Sequence, residues 1–170
     1  MKRKIYQQLL DWKEKRNGEV ALLIEGARRI GKSYIVEEFG KNEYESYILI
    51  DFNKAPQMVR DWFDLYLEDL DMLFLYLSQH YKVRLHERKS LIILDEVQLC
   101  PRARAAIKFL VKDGRYDYIE TGSLVSIKKN TQGIVLPSEE RPIQMYPMDF
   151  EEFLWATGND MLMDLIRKMY

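Results

Sequence analysis

The clearest chemistry in the chain lies between two glycines and a hydroxyl. Gly26-Ala27-Arg28-Arg29-Ile30-Gly31-Lys32-Ser33 places glycine, lysine and serine at the spacing Gly-x4-Gly-Lys-Ser of a phosphate-binding loop. Gly26 and Gly31 are expected because both positions would need backbone angles that a Cβ penalises. Successive N–H groups then converge on an anion, and the following helix adds the positive end of its dipole. Lys32 is placed to reach β- and γ-phosphates, and Ser33 to ligate Mg²⁺. The expected contact set is Gly26, Ala27, Arg28, Arg29, Ile30, Gly31, Lys32, Ser33 and the next residue, Tyr34.

Two carboxylates supply the second element. Leu91-Ile92-Ile93-Leu94 runs directly into Asp95-Glu96, as a buried strand does when its C-terminal end opens into a site. Asp95 would hold Mg²⁺ together with Ser33, and Glu96 would orient and deprotonate an attacking water. A third element is Tyr118-Ile119-Glu120-Thr121-Gly122-Ser123, a strand ending in hydroxyls. Thr121 or Ser123 could touch the terminal phosphate or the water, and spacing alone leaves an ordinary strand-to-turn junction equally open.

These residues need a scaffold that brings three strand ends together, and the hydrophobic pattern provides one. A helix is predicted over 3–16, stopped by Asn17-Gly18. Strands follow at 19–25, 44–51, 91–94, 116–121 and 143–146. Helices are expected at 32–39, closed by Gly40, and at 57–80 as one helix or two with a bend near 69–71. Further helices run from Pro101 to about Asp113 with Gly114 after it, and over 150–156 capped by Asp149. Residues 124–140 read as loop or irregular helix. Strands alternating with helices imply an α/β fold with a parallel sheet.

Composition bounds what this fold can do. At 170 residues with 47% hydrophobic and 31% charged residues, the chain can bury a core without disulfides. The formal charge of −1 gives no whole-molecule case for nucleic acid. One cysteine, Cys100, excludes an internal disulfide, and His80 and His86 make no zinc set with it. No apolar run approaches the roughly 20 residues of a membrane span, and the start lacks a signal-peptide core, so a cytoplasmic protein is expected.

Taken together, GARRIGKS, LIILDEVQ, YIETGS and YPMDFEEFL resemble the AAA+ ATPase domain. More narrowly they resemble a prokaryotic ATPase family that usually carries a C-terminal PD-(D/E)xK nuclease-like domain. The resemblance covers about residues 3 to 157. It implies a P-loop NTPase of the AAA+/ASCE type, with a five-stranded parallel sheet of order 5-1-4-3-2 and helices on both faces. It divides the chain into an ATPase domain at 1–157 and the start of a truncated lid or linker at 158–170. It implies ATP and Mg²⁺ as ligands, with Glu96, Lys32, Thr121 and Ser123 catalytic, Ser33 and Asp95 on the metal, and Gln98 supporting the water. Arg141 falls where such proteins place an arginine finger, although Glu140 replaces the usual glycine before it. A surface pairing of Arg141 with Glu139 or Glu140 is the alternative.

The implied function is ATP binding and hydrolysis coupled to conformational change or assembly, with low activity from this chain alone. Competing classes are a nucleotide switch with little turnover and a P-loop small-molecule kinase, for which Arg102 and Arg104 give thin support. A GTPase is disfavoured, since Asn53-Lys54-Ala55-Pro56 lacks the aspartate that selects guanine. Arg102, Arg104, Lys108, Lys112 and Arg115 could form a basic face for nucleic acid or a neighbouring subunit, or simply be solvated. Self-association belongs to the longer protein in this reading.

Overall fold

The computed structural model describes residues 3–16, 18–123 and 138–169. Asn17 and most of the segment read as loop over 124–140 lie outside the described residues. Five parallel strands form the centre: β1 (Ala21–Gly26), β2 (Ser46–Asp51), β3 (Ser90–Asp95), β4 (Asp117–Ser123) and β5 (Glu140–Met145). Their order is β2-β3-β4-β1-β5, the expected order read from the other edge. The helices are α1 (Ile5–Arg16), α2 (Lys32–Glu43), α3 (Gln57–Leu65), α4 (Leu70–Tyr81), α5 (Pro101–Asp113), α6 (Phe150–Ala156) and α7 (Asp160–Met169).

Strand alternation divides the core in two. Leu22, Ile24, Leu91, Ile93 and Ile119 face α1 and α2, where they meet Ile5, Leu9, Trp12, Ile35, Val36 and Phe39. Ala21, Leu23, Ile92, Leu94 and Tyr118 face the other way, against Val59, Phe63, Leu73, Leu77, Ile107 and Leu110 of α3, α4 and α5. Every residue of β3 is buried, as its unbroken apolar run predicts for a strand covered on both faces.

Several boundaries differ from the sequence expectation, each for a packing reason. Helix α2 continues through Gly40 to Glu43. A Cβ on Gly40 would lie 3.0 Å from the Tyr47 ring, so this glycine serves close helix–strand packing rather than termination. The 57–80 stretch is two helices, and α4 is started by Asp69, whose side chain accepts from the Met72 N–H at 3.2 Å. β4 runs on to Ser123 because its ladder with β1 continues to Gly26 opposite Ser123. β5 starts at Glu140 rather than at Ile143. It is an edge strand paired only to β1, which tolerates the Glu-Arg-Pro stretch that looks unlike a strand.

The edge strand is also fastened by charge. Arg104 of α5 grips Glu140 with two hydrogen bonds of 3.0 and 2.8 Å, both side chains only 6% exposed. Glu120 of β4 is fully buried beside them. Burial, then the adjacent Glu140 carboxylate, pushes the Glu120 carboxyl well above the ordinary range, against the opposing pull of Arg104. The folded state therefore holds a proton that the unfolded chain releases near pH 4.5. Stability is lost as pH rises from there through the folded pKa, by about 1.4 kcal/mol for each pH unit crossed. Glu120→Gln should flatten that slope and exceed the wild type in stability by at least about 1 kcal/mol at pH 8. Urea unfolding from pH 5 to 9 checks this; parallel curves for the two proteins would refute it.

Candidate functional site: a phosphate loop facing an acidic strand end

β1 delivers Gly26 to the carboxyl edge of the sheet, and α2 begins at Lys32. Gly31 sits between them with φ +92°, where a side chain is strained, as expected. Gly26 is needed for a different reason. A Cβ there would fall 2.3 Å from the Met145 carbonyl oxygen and 2.7 Å from Ile30 Cδ1, so proximity, not backbone angle, demands glycine. Arg29 also takes the left-handed region, at φ 63°. Ala27, Arg28 and Arg29 lie exposed along the loop, and Tyr34 is 45% exposed at the first turn of α2.

Lys32 is buried, its amine donating to the carbonyls of Ala27 at 2.8 Å and Gly26 at 3.3 Å. Burial lowers its pKa, and the Glu96 and Asp95 carboxylates oppose that. The loop thus holds a desolvated cation where phosphate charge would need one.

The acidic strand meets the loop through a direct bond. Ser33 Oγ donates to Asp95 Oδ1 at 2.8 Å across 62 residues of sequence. Thr121 Oγ1 donates to the same Asp95 oxygen and accepts the Glu96 N–H at 3.2 Å. Thr121 is fully buried, its hydroxyl engaged by the Asp95 carboxylate and the Glu96 backbone N–H. Ser123 differs: it lies beside Gly26 in register, and its Oγ has no hydrogen-bond partner among the described residues. Glu96 has φ 55°, which turns its side chain off the strand, and the Gln98 amide donates to its carboxylate. Desolvation raises the Asp95 pKa, helped by Asp51 and Glu96 and opposed by the Thr121 and Ser33 hydroxyls. Hydroxyl and carboxylate oxygens are the hard donors Mg²⁺ takes, so Ser33 and Asp95 fit that ion.

Other expectations change on contact with the structure. Of the basic face expected on α5, Arg104 is buried on Glu140, Arg102 pairs with Asp64 and Arg115 pairs with Asp113 and Asp71, while Lys108 and Lys112 stay exposed. Of the two arginines weighed for a kinase lid, Arg104 is thereby buried and Arg102 stays at the surface. Glu140 pairs with Arg104, not Arg141. Arg141 lies opposite Leu22, about 13 Å along the strand from Gly26 at roughly 3.3 Å per residue. It lines a groove with Trp12 and Lys15 of α1, away from its own phosphate loop. Cys100 is buried, which pushes its thiol up and leaves it inert.

Two participants escaped the sequence reading. Arg3 donates to the Ile30 carbonyl at 3.0 Å, and Glu152 lies 3.2 Å from Arg3. Nothing in local pattern marks Arg3. Glu152 carried a usable signal, since Asp149-x-x-Glu152 is a capping box, with both reciprocal bonds formed.

A family model described as an AAA domain matches residues 19–154. The chain belongs to that AAA family. The AAA domain here is therefore of the nucleotide-binding P-loop ATPase type. It is 25% identical over 173 residues to an uncharacterized protein of Haemophilus influenzae, covering 96% of this chain and 40% of that protein. It is 27% identical over 141 residues to an uncharacterized protein of Methanocaldococcus jannaschii, covering 81% and 28% respectively. The chain thus spans less than half the length of either relative. Among solved structures, the PCH-2 protein of C. elegans aligns over 96% of this chain and 44% of that one, at 13% identity and a TM-score of 0.39, too low to add to the assignment. Among the described residues, no helix of the AAA domain is long and apolar enough to cross a membrane.

The raised Asp95 carboxyl sets function against stability. Its folded pKa exceeds its unfolded one, so ionised Asp95 lowers stability near neutral pH. Asp95→Asn keeps an oxygen to accept from Ser33 and Thr121 and removes the charge. Without Mg²⁺ it should raise Tm by about 2–4 °C, the equivalent of roughly 1 kcal/mol in a chain this size. In magnesium it should weaken nucleotide binding. A Tm below the wild type's would show that the ionised carboxylate is stabilising.

Proposed function

We propose that this AAA domain binds Mg·ATP between the phosphate loop and the end of β3 and hydrolyses it. The cycle drives a conformational change or assembly in the longer protein. The observation that carries this is the Ser33–Asp95 hydrogen bond of 2.8 Å, which joins a phosphate loop to an acidic strand end in one constellation. Loop N–H groups and Lys32 bind the phosphates, the amine exchanging its Gly26 and Ala27 carbonyls for phosphate oxygens. Ser33 and Asp95 would hold Mg²⁺, which when bound would offset phosphate charge. Glu96 takes the proton of the attacking water, and Ser123 offers its hydroxyl to the terminal phosphate.

A cleft of about 600 Å³ between α1, α2 and α6 suits the base and sugar. Ile35 and Trp155 give it apolar walls, and Tyr6, Glu38 and Asn42 give it polar ones. Residues 158–170 begin a lid or linker in this reading. Arg141, remote from its own loop, could serve only a neighbouring copy.

One observation favours the slower alternative, a nucleotide switch. The Glu96 carboxylate is engaged by Gln98, so the base must be released before it can act on water. Both readings require binding, and they part at turnover.

Lys32→Ala should weaken Mg·ATP binding at least tenfold, about 1.4 kcal/mol, by titration calorimetry. Equal affinity would remove the phosphate-loop reading. Glu96→Gln should retain ATP and cut phosphate release roughly 10²-fold or more. Negligible turnover in the wild-type protein, with intact binding, would leave the switch instead.

A further inference from the structure

Arg3 is 5% exposed, and its guanidinium reaches three separate elements. Nη1 donates to the Ile30 carbonyl at 3.0 Å, in the phosphate loop. Nη2 donates to the Tyr146 carbonyl at 2.7 Å, just past β5. Nε lies 3.2 Å from Glu152 Oε1 on α6, an ion-pair contact without hydrogen-bond geometry. Glu152 is itself fixed. Its Oε1 accepts the Lys4 N–H at 2.7 Å and its Oε2 accepts the Asp149 N–H at 3.2 Å.

The peptide joining Ile30 to Gly31 is planar and trans, so its C=O and N–H point in opposite directions. Holding the Ile30 oxygen on Arg3 therefore aims the Gly31 N–H away from Arg3. That control matters because Gly31, at φ +92°, has no Cβ to restrict the plane's rotation. The planar fork of arginine fixes direction in a way a lysine ammonium cannot. Lys4 also reaches α6, through Asp149 and Glu151, but its amine is half-exposed and touches no loop atom.

We propose that Arg3 is a positioning residue of the phosphate site: anchored by Glu152, it orients the Ile30–Gly31 peptide and ties the loop to α6. The proposal rests on the phosphate-loop reading for its consequence, a Gly31 N–H ready for a phosphate oxygen. Its geometry stands apart from that reading.

Glu152→Gln carries the test, since it keeps size and removes the charge from a residue bonded to Arg3, Lys4 and Asp149 rather than to the loop. In amide ¹⁵N relaxation without nucleotide, residues 27–31 should fall from the rigid range, an order parameter of about 0.85, toward the flexible one, below about 0.6. In hydrogen exchange β3 should keep its protection, showing that the fold is intact. Arg3→Lys should behave as Glu152→Gln does, and Lys4→Ala should leave the loop unchanged. Unaltered loop order parameters in both Glu152→Gln and Arg3→Lys overturn the anchor whether or not ATP binds. So does a Lys4→Ala effect as large as theirs. Titration with Mg·ATP then separates the two readings. If the wild type binds and the variants bind several-fold more weakly, positioning is supported. Equal affinity despite a looser loop refutes it. No binding by the wild type removes the nucleotide reading and leaves the anchor to be judged on loop order alone.

Discussion

A carboxylate buried where three strand ends meet is the constraint around which this domain is organised. Asp95 sits almost out of water beside Asp51 and Glu96, a place that disfavours its ionised form. Two hydroxyls make it tolerable, Ser33 from the helix after the phosphate loop and Thr121 from β4. Each can reach it only if the parallel ladder is in register, with Ile93 opposite Ile119 and Ile24 opposite Thr121. A slip of one residue would turn Thr121 to the other face and leave the acid without its donor. The sheet's register and the site's chemistry are therefore one requirement.

The crossing order follows from the same need. β4 lies between β1 and β3, which holds the phosphate loop and the acidic end about 10 Å apart, two strand spacings. A side chain at the head of α2 bridges that gap, and the lack of a Cβ on Gly26 lets the start of the loop lie close against the Met145 carbonyl. Both faces of the sheet then need cover, which the two apolar clusters provide.

Much of this is legible in the sequence, for identifiable reasons. The loop and the acidic strand rest on residues adjacent in sequence, or on an apolar run that has no other explanation, and the strand order comes with the family resemblance those motifs carry. Gly114 and Asp149 sit at helix ends where they are expected because capping is local chemistry. Legibility fails where a partner far along the chain decides the role. Gly40 reads as a stop signal until Tyr47 is seen against it. Arg104 reads as part of a basic face until Glu140 appears opposite. Gly26 is expected for its backbone angle, and only the approach of β5 reveals proximity as the cause. Arg3 has no local signal, since two of its partners are carbonyls, which carry no residue identity, and the third, Glu152, lies at the other end of the domain.

The contact between the two ends of the domain has a temporal meaning. During synthesis the segment holding Arg3 and Lys4 emerges first, yet the carboxylate that Lys4 and Arg3 share arrives 148 residues after Lys4. At about 5–20 residues per second, that is a wait of roughly 7 to 30 seconds on the ribosome. β2 and β3 can pair meanwhile and α2 can pack on them, whereas β1 waits for β4 and β5. The phosphate loop thus emerges well before its outer support does, and it acquires its final shape only when the domain is whole. A nascent chain cut short of Glu152 would carry the whole phosphate loop and acidic strand and still lack the fastening that closes one end of the domain onto the other.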